Sequence, residues 1–170
     1  MTHMITNTKI NHGTNFKNNT ITPIHSWYSY LEGFSWNFVR NILAKLPKKD
    51  DFTVLDPFCG SGTTLVETSL MGLKSIGYDI NPFLTFVSQT KTDLRFDLHE
   101  VDSEMLQMQR ILIPSQIKKI SWSEDLKLSK LYANNRVFST KVLPKVLLVK
   151  KLLNDIQNQR VHNFFMLAFC

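Results

Sequence analysis

Between residues 36 and 46 the apolar side chains fall at three- and four-residue steps: Phe38, Val39, Ile42, Leu43 and Leu46. That spacing predicts one face of a helix. Ser35 stands where a cap would start it, and Pro47 with the charged KKDD would end it. Residues 52–55 are a short apolar run that predicts a strand buried on both faces. After a glycine-containing loop, Thr63 or Thr64 opens a helix through Leu65, Val66, Leu70 and Met71, and Gly72 is its stop. Residues 74–78 predict a second strand. Asn81 and Pro82 begin another helix, with proline at its first position. Residues 52–90 therefore read as strand, loop, helix, strand, helix, a right-handed βαβ unit on a parallel sheet.

Later in the chain the signal turns helical. "HEVDSEMLQMQRIL" predicts a helix ended by Pro114. "VLPKVLLVKKLLNDIQNQ" predicts an amphipathic helix with Lys150 and Lys151 on its wet side, and "VHNFFMLAFC" is a further apolar run. Residues 1–21 are rich in Asn and Thr and predict a flexible arm. Residues 22–170 then form one domain of an α/β class, with few parallel strands and a helical C-terminal part.

Composition changes this picture in two ways. A formal charge of +6 over 170 residues favours an anionic partner, nucleic acid first, or marks a basic soluble surface. The stretch 118–160 carries much of that charge and reads either as a phosphate-contacting region or as a solvated face. The two cysteines, Cys59 and Cys170, lie in no metal-ligand spacing, which argues against a zinc site and fits a reducing cytosol. There is no signal pattern at the N-terminus. No apolar run approaches the roughly 20 residues of a membrane span. The reading is a cytoplasmic protein without a membrane partner.

The chemistry concentrates in "VLDPFCGSGTTLVETSLMGLKSIGYDIN". Asp56 follows the first strand, at the carboxyl edge of the sheet, where open α/β sheets bind ligands. Gly60 and Gly62 let the backbone turn and approach a ligand closely. Asp79 ends the second strand about twenty residues on, where an acid accepts ribose hydroxyls. No lysine follows the glycines, so a P-loop is excluded. Leu65 replaces the third glycine of a dinucleotide fingerprint, and Asp56 would repel a pyrophosphate. S-adenosylmethionine, cationic and free of phosphate, suits the loop better than either nucleotide.

"LDPFCGSGTT" followed by "GYDINP" resembles the cofactor motifs of DNA methyltransferases that modify exocyclic amino groups, adenine N6 or cytosine N4. "IHSWYSYLEGFSWNFV" is similar to the segment just upstream of this loop in one branch of that family. The resemblance is strong over residues 22–92. It implies a Rossmann-like class I methyltransferase fold, here incomplete, S-adenosylmethionine as cofactor and DNA as partner, in a restriction-modification setting. By the same resemblance Asp56, Pro57, Phe58, Cys59, Gly60 and Ser61, with Gly62, Thr63 and Thr64, would hold the methionine moiety. Asp79 and Asn81 would serve the ribose end, Ile80 would line the adenine, and Tyr30 and Phe34 would wall the methionine end.

The catalytic motif of that family is Asp, Asn or Ser followed by Pro-Pro and an aromatic residue, which stacks on a flipped base. The chain contains no Pro-Pro pair. "NPFL" at residues 81–84 has one proline and reads as a helix start. No catalytic residue is therefore assigned. The expectation is an N-terminal portion, truncated or split, whose second polypeptide brings the motif. Phe164, Phe165 and Phe169 near the end reinforce it, since leaving three such rings exposed forgoes roughly 5–8 kcal/mol.

Other residues have ordinary readings. Cys59 fills the loop rather than acting as a nucleophile. His25 packs or hydrogen-bonds beside Trp27 rather than acting as a base. Trp27, Tyr28 and Tyr30 serve core and cofactor wall rather than base stacking. The rival functions are an RNA guanine-N2 methyltransferase fragment, which shares an Asp-Pro-x-Cys-Gly-Ser-Gly loop, a non-catalytic nucleotide-binding subunit, and a nicotinamide oxidoreductase disfavoured by Leu65 and Asp56.

Overall fold

Three of the described helix starts are set by short side chains that capture a free amide two residues on. Asn81 accepts from the Phe83 N–H, Asp97 from the His99 N–H and Asn158 from the Arg160 N–H, each satisfying one orphan donor of a first turn. A computed structural model describes residues 19–30, 33–46, 52–113, 138 and 142–170. Expectations for residues 1–18, for Pro47 and the KKDD run, for Pro114 and for most of the basic stretch lie outside the described residues.

The chain divides into two compact units between Leu94 and Arg95. The first holds a 3-10 turn at His25–Trp27, α1 (Trp36–Leu43), β1 (Thr53–Asp56), α2 (Thr63–Leu70), β2 (Lys74–Gly77) and α3 (Pro82–Thr92). β1 and β2 pair in parallel, with Leu55 opposite Ile76 and Asp56 opposite Gly77. α2 connects them and packs on the sheet, on α1 and on α3. Val39, Leu43, Val66, Leu84 and Val87 form the buried apolar set, each contributing about 1.5–3 kcal/mol on burial. Gly72, at φ +69°, terminates the α2 region in the left-handed conformation glycine favours.

The second unit holds α4 (Leu98–Ile111), α5 (Leu143–Asn154) and α6 (Gln159–Phe169). Val101, Met108, Leu153, Ile156 and Val161 make its core, with Phe96, Phe164 and Phe165 packed against them. Lys145, Lys150 and Lys151 line the exposed side of α5.

Three expectations are corrected. The first strand is not buried on both faces: Leu55 is 61% and Ile76 49% exposed, because α2 covers the opposite face. Ser35 sits at the start of α1 but makes no side-chain cap. The Phe38 N–H, within reach of such a cap, goes to Asn37 Oδ1 at 3.0 Å, and the Trp36 N–H goes to Asn19 Oδ1 at 2.9 Å, a side chain seventeen residues upstream that no local rule could nominate. Phe164 and Phe165 are not left bare. They are partly buried, with Phe164 stacked 5.3 Å from Phe96, while Phe169 keeps 39% of its surface exposed.

Candidate functional site

The loop between β1 and α2 is tied to the end of β2 by backbone and carboxylate together. The Cys59 N–H donates to the Tyr78 carbonyl at 2.9 Å, and the Gly62 N–H closes a turn on the Cys59 carbonyl at 2.8 Å. The Gly60 N–H donates to Asp79 Oδ2 at 2.9 Å, while Asp79 Oδ1 accepts the Asn81 N–H at 2.8 Å. Asp79 thus fixes the loop as well as standing beside it. A carboxylate has about four acceptor directions, so about two remain for other donors. This clamping role was invisible in the sequence, where Asp79 had meaning only as a ligand.

Both loop glycines are structurally required. Gly60 lies at φ +51° and Gly62 at φ +84°. A Cβ on Gly62 would fall 2.7 Å from Ser88 Cβ and 3.0 Å from its Cα, so α3 leaves no room there. A Cβ on Gly60 would meet Tyr30 Cε1 at 3.3 Å, which puts the Tyr30 ring against the loop. Phe34 has its ring 5.7 Å from that of Phe38 and is 57% exposed. Asp56 Oδ1 accepts the Phe58 N–H at 3.2 Å. Pro57 and Phe58 are exposed, and Ile80 is fully so, leaving apolar surface bare on both sides of the loop. Ser61 and Thr63 are buried and Thr64 half-buried, where α2 begins. Buried Cys59 has its thiol pushed above the ordinary range by burial, with Asp56 and Asp79 raising it further against the Ser88 hydrogen bond. That is the opposite of an activated nucleophile.

Beneath the loop lies a charged cluster that the sequence reading did not include. Glu67, fully buried on α2, accepts from Arg40 Nε at 2.6 Å and pairs with His25 Nε2 at 2.8 Å. Burial pushes its carboxyl upward, but the His25 and Arg40 hydrogen bonds and the Arg40 charge outweigh that and hold it below the ordinary range. The Arg40 guanidinium also lies 4.8 Å from the Trp36 ring centre. Lys91 on α3 is 2% exposed and donates to the His25 and Tyr28 carbonyls. A signal for it existed: Leu84, Val87, Ser88 and Lys91 share one helical face, so the lysine follows the buried stripe.

A glycine cradle, an acid at each strand end and exposed apolar flanks suit a cationic nucleoside ligand. No phosphate-binding lysine interrupts them. Among the described residues no His, Cys, Asp and Glu cluster could hold a metal, and no helix is long and apolar enough to cross a membrane.

The DNA methylase family model matches residues 6–89. The chain is 31% identical over 160 residues to the type II methyltransferase M.BsoBI of Geobacillus stearothermophilus, covering 85% of this chain and 31% of that protein. It is 34% identical over 85 residues to the type II methyltransferase M.MjaII of Methanocaldococcus jannaschii, covering 50% of this chain and 16% of that protein. Over 39 residues it is 54% identical to a protein named as a tRNA (guanine(10)-N2)-dimethyltransferase of Methanothermococcus thermolithotrophicus, 23% of each chain. No solved structure matches at a significant level. Over residues 6–89, just under half of its length, the chain matches the amino-methyltransferase family. It spans 31% and 16% of the two type II relatives.

Proposed function

We propose that this chain is the S-adenosylmethionine-binding part of a DNA methyltransferase that modifies an exocyclic amino group, adenine N6 or cytosine N4, in a restriction-modification system. The observation that carries the reading is the Asp79 clamp, which holds the glycine loop at Gly60 and keeps acceptor capacity for a ribose. Bound S-adenosylmethionine would supply an electrophilic methyl carbon on a sulfonium. Asp56 and the loop through Thr64 would hold its methionine end, Tyr30 would cover that end, and Ile80 would offer an apolar face to the adenine. Asp56 would also leave the site negative beside a cationic ligand.

The Pro-Pro motif that would polarise the target amino group does not occur in this sequence. The reading therefore includes a further segment or second polypeptide that brings the motif. The open face at Leu55 and Ile76 and the relatives' greater length support that part. The exposed lysines of α5 give DNA phosphates a surface.

The test is calorimetric titration of the chain with S-adenosylmethionine. The expected result is micromolar binding that falls at least about tenfold, or roughly 1.4 kcal/mol, in Asp79→Ala. Unchanged affinity in that variant would remove the ribose role. Absence of binding by a folded chain, even with a C-terminal half supplied, would overturn the reading. A second reading, methylation of guanine N2 in RNA, draws on the 39-residue match. Methyl transfer to tRNA and not to DNA by the completed enzyme would favour it.

A further inference from the structure

We infer that Lys91 is a positioning residue for the methionine end of the pocket: from the buried side of α3 it holds segment 25–30 so that the Tyr30 ring lies against Gly60. The ligand side of this inference rests on the methyl-donor reading above, while the positioning rests on geometry.

Segment 25–30 has little regular structure of its own. After one 3-10 turn at His25–Trp27 the backbone is extended at Tyr28, with φ −145° and ψ 118°. His25 is buried and Tyr28 half-buried, and carbonyls there that no ladder takes up gain from a donor outside the segment. Lys91 Nζ supplies that donor, reaching the His25 and Tyr28 carbonyls at 3.1 Å each. One ammonium head with three donors bridges two carbonyls three residues apart. Side-chain ties that act on the same stretch include the His25 ring on Glu67 and the Tyr28 ring edge-on to Phe83 at 5.3 Å. Both bind side chains, whereas Lys91 binds the main chain itself and so sets its path toward Tyr30.

Burying this ammonium is costly, since burial lowers its pKa to about 8. A methionine of similar length would fill the space without that cost. What the lysine adds is the pair of hydrogen bonds to the segment. Held so, the Tyr30 ring stands where a Cβ on Gly60 would meet its Cε1 at 3.3 Å.

The experiment uses the full chain carrying Lys91→Met, with two readouts. Without ligand, NMR contacts between the Tyr30 ring and the Gly60 α-protons are expected to vanish, while exchange protection of the β1–β2 ladder stays unchanged. With ligand, S-adenosylmethionine affinity is expected to fall about tenfold, roughly the worth of one ring contact. Adenosine, which lacks the methionine end, should bind within about twofold of wild type. Tyr30→Ala should reproduce the selective loss, and the double variant should be no weaker than either single one. A retained Tyr30–Gly60 contact overturns the inference, as do equal losses for both ligands or additive losses in the double variant. Should Lys91→Met fail to fold, Lys91→Gln, too short to span both carbonyls, carries the same test. If wild type binds neither ligand, the methyl-donor reading fails instead, and the ring contact still decides the positioning.

Discussion

The two faces of the β1–β2 pair are finished to different degrees. Toward α2, Gly77 has no room for a Cβ because Leu65 and Cys59 fill the space, and the Thr68 and Ser75 hydroxyls meet at 2.8 Å. On the other face Leu55 and Ile76 stand opposite each other with about half or more of each side chain in water. The difference teaches that this chain invests its fit in the side that supports the glycine loop. The bare side adds little while it stays uncovered, since an apolar face gains from packing only when something packs on it.

The sharpest way to break that comparison is to disturb the fitted side. Gly62→Ala would add both left-handed strain at φ +84° and a collision with Ser88, costing about 3 kcal/mol. Gly72→Ala, at φ +69° with open space around it, would cost about 1 kcal/mol for strain alone. Urea titrations of the two variants check this, and equal midpoints would show that the fit at Ser88 contributes nothing.

Buried charge sharpens the comparison through pH. Lys91 has its pKa lowered from 10.5 to about 8 by burial. Below the lowered value both folded and unfolded chains carry the proton, and the folded chain bears the burial cost. Between the two values the unfolded chain binds more protons, so stability rises with pH. Wild type should gain about 2 kcal/mol relative to Lys91→Met between about pH 8 and pH 10. Parallel pH profiles for the two proteins would mean that the ammonium is not buried as described.

The smallest effect belongs to the bare side. Leu55→Thr and Ile76→Thr should each change the stability of this chain by less than about 0.5 kcal/mol. Both should weaken methyl transfer by a mixture with a separately supplied C-terminal half. A large loss of stability in the isolated chain would show that this face is already packed.

What the sequence made legible was local. The Gly60–Gly62 turn, the Gly72 stop and the Asn81-Pro82 helix start follow from backbone preferences within a few residues, and all stand where expected. What it hid was decided at a distance. Asn19 takes the first amide of α1, at Trp36, from seventeen residues upstream. Leu55 reads like any core strand residue, because periodicity reports what a residue could bury against and not whether a partner is there. Glu67 looks like an ordinary surface charge until Arg40 and His25 surround it, and the buried stripe that carries Lys91 does not name the two carbonyls it meets. Asp79 was found as a ligand candidate, yet its hold on Gly60 needed the folded loop to be seen.

That hold bears on how quickly a ligand can be captured. With one backbone amide on each oxygen, the Asp79 carboxylate has no rotamer left to search and the loop no shape left to find. A pocket set in advance does not pay an ordering entropy on each encounter. Association should then run at the pace of diffusion and docking, and loosening the clamp should appear chiefly as a shorter residence time.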